Sequence, residues 1–131
     1  MVSAARGAAG WETQRWSQAI RVPVTTLDLL IARHGVPTFI KIDVEGFEYE
    51  ALLGLSRIVN AMSFEFTTIQ RDLALVCIGR AAALGYRSFR ASLGESLAFV
   101  GERPWTASHI ASWLAALPAE ANSGDIYATQ D

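Results

Sequence analysis

The segment Phe39-Ile40-Lys41-Ile42-Asp43-Val44, followed by Glu45-Gly46, constrains this chain more tightly than any other part of its sequence. Only Lys41 and Asp43 interrupt an otherwise apolar run. Such a near-continuous run is expected of a strand covered by helices on both faces, as in a parallel sheet. Gly46 provides a tight exit. Alternation along the strand sets Lys41 and Asp43 on one face, and Glu45 follows in the same sense as far as the turn at Gly46 allows. A buried carboxylate is tolerated only when something pairs with it. Three charged groups on one face of a buried strand therefore point to an ion pair, a ligand, a metal or a reaction as compensation.

The surroundings of this strand read as alternating helices and strands. Residues 1–19 carry Ala, Gly and Ser without periodicity and are expected to be a poorly ordered lead-in, leaving 20–131 as one domain. Ile20, Val22 and Val24 alternate with polar residues, which suits a short strand, and Pro23 places it at an edge. Thr26 or Asp28 can cap a helix reaching Arg33, closed by His34-Gly35. Helical spacing of Tyr49, Leu52, Leu53 and Val59 predicts a second helix over 47–60, with Glu48 and Glu50 in a first turn that favours them. A strand over 61–68 and a helix over 72–84, ended by Gly85, come next. Residues 86–90 and 96–100 read as two strands joined into a hairpin through Gly94. A last helix starts at Thr106 or Ser108, with Ile110, Trp113, Leu114 and Leu117 on one face. The tail Gly124-Asp125-Ile126-Tyr127-Ala128 reads as a short extended piece. This alternation predicts an α/β fold with parallel strands, a C-terminal antiparallel hairpin, and helices on both faces.

Composition narrows the function. At 131 residues the chain is one domain at most, and 51% hydrophobic content is ordinary for a globular one. A net charge of −2 provides no electrostatic footprint for nucleic acid or an anionic membrane. The weakly charged stretch 104–119 is shorter than the roughly 20 residues a bilayer-spanning helix needs. The first ten residues lack the apolar core of a signal peptide, so a cytoplasmic protein is expected. Cys77 stands alone inside an apolar run and reads as a small buried hydrophobe. His34 and His109 have no spacing that suggests a metal pair.

The chemistry at the strand end leaves alternatives open. Asp43 can serve a ligand or reaction, or it can accept hydrogen bonds from the next helix as a cap with Lys41 as its partner. Glu48 reads more readily as a capping-box residue reaching back to the helix start than as a catalyst. Glu65, between Phe64 and Phe66 in the next strand, poses the same choice between function and packing.

Three stretches carry a resemblance: Val24-Thr25-Thr26-Leu27-Asp28-Leu29-Leu30, then Phe39 through Glu48, then Leu53-Gly54-Leu55. Together they resemble the FkbM-type S-adenosylmethionine-dependent methyltransferases. Glu65, Gly85-Tyr86 and the Gly124 to Ala128 tail are similar in order. The resemblance implies part of a Rossmann-like methyltransferase fold, S-adenosylmethionine as donor, and a small-molecule acceptor hydroxyl, often on a sugar or polyketide. Asp43 and Glu45 would then act as general base or as oxygen ligands to a divalent cation, with Lys41 balancing their charge. Glu65 and Glu48 would contact the acceptor. The family's glycine-rich donor-binding turn belongs upstream of Val24, where only residues 1–23 stand. The expectation is therefore a C-terminal half, truncated and impaired alone, that self-associates or joins a missing N-terminal half. A non-catalytic interaction module derived from such an enzyme is the alternative, and an unrelated α/β binding protein a third reading.

Overall fold

The computed structural model describes residues 18–131, so most of the expected lead-in lies outside the described residues. Helix α1 (Leu27–His34) starts at Thr26, whose hydroxyl accepts a hydrogen bond from the Leu29 N–H at 3.1 Å. It ends at Gly35, whose φ of 93° few other residues adopt. Strand β1 (Phe39–Ile42), helix α2 (Glu48–Leu53) and strand β2 (Ala61–Thr67) follow. Helix α3 (Arg71–Leu84) closes on left-handed Gly85. Strand β3 (Ser88–Leu93), helix α4 (Ala107–Ala116) and strand β4 (Ser123–Thr129) complete the fold, with single 3-10 turns before α3 and before β4.

The sheet order is β1-β2-β4-β3. β1 and β2 are parallel, with Phe39 beside Ala61 and Ile42 beside Phe64. β4 lies antiparallel to both β2 and β3. The mixed α/β expectation holds. Met62, Phe64, Phe66, Phe89, Ala91, Ile126 and Ala128 line one face, together with Ile40 and Ile42. All four described helices contribute buried residues to the apolar cluster on that face, among them Ile31, Leu52, Ile78 and Leu114. Lys41, Ser63, Glu65, Arg90, Ser92, Asp125 and Tyr127 line the opposite face. Helix cover on both faces was expected; among the described residues the second face meets a loop instead, with Phe99 against Tyr127. β1 accordingly alternates, with Ile40 and Ile42 buried and Phe39 and Lys41 exposed.

Three expected elements differ. Residues 20–25 form no strand, and Ile20 and Val24 stand 80% and 94% exposed, because no described strand offers them a ladder. The helix expected over 47–60 stops at Leu53. Gly54 packs against α1 so closely that a Cβ there would stand 3.1 Å from the Thr26 Cβ. The Arg80 guanidinium then takes the Leu52 and Leu55 carbonyls at 3.4 and 2.8 Å, satisfying the helix end. Leu55 and Val59 reach the core from an irregular segment, and the Tyr86 hydroxyl accepts from the Val59 N–H. The hairpin between 86–90 and 96–100 is replaced by pairing of β3 with β4. Residue 99 makes only one isolated bridge, to Ser92. β4 offers β3 a six-pair ladder with buried Ile126 and Ala128, which the 96–100 run cannot match with Leu97 fully in solvent.

Two glycines separate packing from propensity. A Cβ at Gly124 would stand 2.8 Å from the Phe66 ring and would meet the Ser92 carbonyl, whereas one at Gly79, exposed within α3, meets nothing. Gly124→Ala is expected to destabilise the protein by about 1–3 kcal/mol through overpacking. Gly79→Ala is expected to stabilise it by roughly 0.5–1 kcal/mol through helix propensity. Urea unfolding of the two variants checks the opposite signs.

Candidate functional site

Residues 43–48 carry the chain from β1 into α2. Glu45 adopts a φ of 52°, unusual outside glycine, and Gly46 follows at 102°. Glu48, only 3% exposed, stabilises this turn from inside. One carboxylate oxygen accepts from the Gly46 N–H at 3.0 Å and the other from the Val44 N–H at 3.3 Å. Glu48 reaches back past the N-cap Phe47 into the turn, and both its oxygens are engaged there; as the first residue of the helix it holds the turn rather than forming the expected capping box. The α2 N-cap is Phe47, which has no side-chain cap, so Asp43 does not cap this helix.

Pinning the turn leaves Asp43 and Glu45 exposed at the end of β1, next to half-buried Glu65 on β2. One carboxylate oxygen from each of the three lies within 4.8 Å of the others. Extending the β1–β2 register, in which Lys41 faces Ser63, sets Asp43 opposite Glu65. Across the next ladder Glu65 faces Asp125, which in turn faces Ser92. A polar row, Asp43-Glu65-Asp125-Ser92, therefore crosses the whole sheet on the face that no described helix covers.

Crowding changes the acid–base character of this row. Partial burial pushes the Glu65 carboxyl up to about 8, and the hydrogen bond to Asp43 and the charges of Asp43, Glu45 and Asp125 push in the same direction. At neutral pH the cluster therefore retains a proton, which belongs to the group of carboxyls as a whole. Burial also raises Asp125, offset in part by the charge of Lys41. Lys41 lies on the predicted face, yet it lines a cleft with Asp125 and Tyr127 and forms no ion pair with Asp43.

The structure therefore brings together Asp43, Glu45 and Glu65, places Lys41 one row away, and turns Glu48 inward. Asp125 is the addition. Its sequence signal is the alternation of Asp125 and Tyr127 with Gly124, Ile126 and Ala128, which identifies a strand with one polar face. Cys77 is buried, and burial pushes its thiol up to about 12, so it is no nucleophile. His109 is at the surface, stacked on Trp105 with ring centroids 4.7 Å apart.

A family model described as the methyltransferase FkbM domain matches residues 2–115. The chain belongs to the FkbM methyltransferase family. Among curated proteins and among solved structures no match was found. The FkbM match includes Asp43, Glu45 and Glu65 and stops before β4, so Asp125 and Tyr127 lie beyond it. No helix among the described residues is long and apolar enough to cross a membrane.

The raised Glu65 carboxyl has a consequence for stability. Its folded value of about 8 exceeds the ordinary 4.5, so the folded state keeps a proton that the unfolded chain releases. Folding stability from this group must fall as pH rises between those two values. Glu65→Gln removes the titration. Its melting temperature is expected to decline less than the parent's across that window and to exceed it on the alkaline side. Parallel curves for the two proteins would contradict the crowded-carboxylate account.

Proposed function

We propose that the chain is part of an S-adenosylmethionine-dependent O-methyltransferase acting on a small hydroxylated molecule, with the Asp43-Glu45-Glu65 cluster as its proton acceptor. The observation that carries this reading is the convergence of three carboxylates, sharing a proton at neutral pH, at the strand end of an FkbM-family domain. The anionic rim fits a sulfonium cation, and Asp43 and Glu45 are the residues that would face it. S-adenosylmethionine, when bound, supplies a methyl group for in-line displacement. A hydroxyl attacks poorly until its proton is taken, and the exposed oxygens of Asp43 and Glu45 are placed to accept that proton. Glu65 holds Asp43 by a hydrogen bond and raises the basicity of the cluster by crowding. Glu48 acts as a positioning residue, because its two hydrogen bonds set the turn that projects Asp43 and Glu45.

The edge of β1, unpaired among the described residues, and the exposed Val36, Phe39, Val44 and Phe47 beside it support association with a further polypeptide surface on the donor side, or with a second copy. The oxygen spacing of the cluster favours one second reading, a divalent cation held by Asp43, Glu45 and Glu65, since hard cations prefer such carboxylate sets.

Methyl transfer from labelled S-adenosylmethionine to a panel of hydroxylated small molecules tests the reading, alongside calorimetric titration of the donor. Asp43→Asn is expected to lower transfer by about 100-fold or more while the protein stays folded, because the residue is exposed. Absence of donor binding even at millimolar concentration would leave the non-catalytic interaction module as the better account. A magnesium-dependent rise in melting temperature that Asp43→Asn abolishes would favour the metal reading over the free base.

A further inference from the structure

A cleft of about 550 Å³ opens between the polar face of the sheet and the 94–99 loop. Lys41, Ser92, Asp125 and Tyr127 form its floor, and Leu97 and Phe99 its outer wall. It adjoins the acidic cluster, because Asp125 faces Glu65 across the β2–β4 ladder. None of the proton-transfer roles above uses this space.

Three observations describe what it would hold. The first is charge. Asp125 and Glu95 line the cleft, and Asp43, Glu45 and Glu65 stand next to it. The cations nearby are Lys41, within the cleft, and Arg90. Arg90 is engaged in part: its Nη2 donates to the Gly101 carbonyl at 3.0 Å and its guanidinium lies 4.4 Å from the centre of the Phe99 ring, while its buried Nε has no partner among the described residues. The field therefore favours a positively charged guest. The second observation is Ser92. It is only 6% exposed, its side chain points to the cleft face of the sheet, and it makes no side-chain hydrogen bond among the described residues. Its hydroxyl, set in the cleft lining, is open to a hydrogen bond from a ligand hydroxyl. The third is Leu97, which is 97% exposed with a φ of 57°. A branched apolar side chain held in a strained conformation at a cleft mouth, in full contact with water, gains from carbon surface placed against it.

We propose that this cleft binds a small hydroxylated molecule carrying a protonated amine and, resting on the methyltransferase reading, that such an amino alcohol is the acceptor class. The ammonium group faces Asp125, and the hydroxyl that accepts the methyl group lies toward Asp43 and Glu45. Ligand hydroxyls meet Ser92 and Lys41, and the carbon skeleton lies under Leu97 and Phe99. A neutral polyol leaves the acidic field unused, and an anion is repelled by it.

Amide NMR titration of the protein with D-glucosamine, D-glucose and D-glucuronate tests this in the presence of a chelator, at about pH 6.5, where an amine is protonated. Glucosamine is expected to shift the Ser92, Gly94, Asp125 and Tyr127 amides and to bind roughly tenfold more tightly than glucose, equivalent to about 1.4 kcal/mol. Raised salt should narrow that margin. Asp125→Asn should abolish the preference for the amine, and Ser92→Ala should weaken glucosamine and glucose alike. Equal or tighter binding of glucose or glucuronate, or glucosamine shifts that map elsewhere or stay absent at high millimolar concentration, overturns the proposal. The titration reads no methyl transfer. Its failure leaves the methyltransferase reading standing, and failure of the donor titration leaves this cleft assignment standing.

Discussion

The insertion of β4 between β2 and β3 is the constraint on which the rest of the structure depends. Without it β2 would pair only with β1, and β3 would have no strand partner among the described residues. β4 makes seven pairs with β2 and six with β3, joining the two parts of the sheet into one surface. Each antiparallel ladder satisfies backbone groups that would otherwise be buried unpaired beneath the helices. Gly124 allows this approach, since the Phe66 ring and the β3 backbone occupy the space a side chain would need. The same insertion sets Asp125 beside Glu65 and so builds the acidic row.

The two faces of that sheet have different physical purposes. One is a dry surface where Phe64, Phe89, Met62 and Ile126 meet the helices, and burial there provides the driving force for folding. The other collects nearly every polar strand residue and, among the described residues, is covered only locally, by the 94–99 loop. Half-burial of this kind permits carboxylates at close range. Full exposure would leave them independent of one another, and full burial would demand a partner for each. Glu65 occupies this middle ground, which is why its proton is held so firmly.

Much of the local structure was legible from residue order because its causes are local. Thr26 and Thr106 cap their helices through their own hydroxyls, and Gly35 and Gly85 end theirs through positive φ. That Glu48 reaches back toward the start of its helix was legible for the same reason, since the N–H groups it accepts from lie two and four residues away, though in the turn and not at the N-cap. The early end of α2 was not legible, because it depends on Thr26 and on Arg80, which is 25 residues from Leu55 in the chain. The hairpin expectation failed likewise. Gly94 is a fair turn signal, yet the partner that won lies beyond α4, and sequence proximity lost to the larger buried ladder.

The residue order alone determined the family and the place of the acidic cluster: the Lys41 to Gly46 segment ends a strand, and a strand end followed by a glycine turn exposes whatever acidic residues it carries. Which of those residues lie together was a tertiary decision. Pleat alternation suggested that Lys41, Asp43 and Glu45 form one set. Sheet order replaced Lys41 with Glu65 from the neighbouring strand and brought Asp125 next to it from the far end of the chain. The physical reason is that carboxyl acidity responds to distance in space, falling off over a few ångströms, and only the strand order fixes those distances.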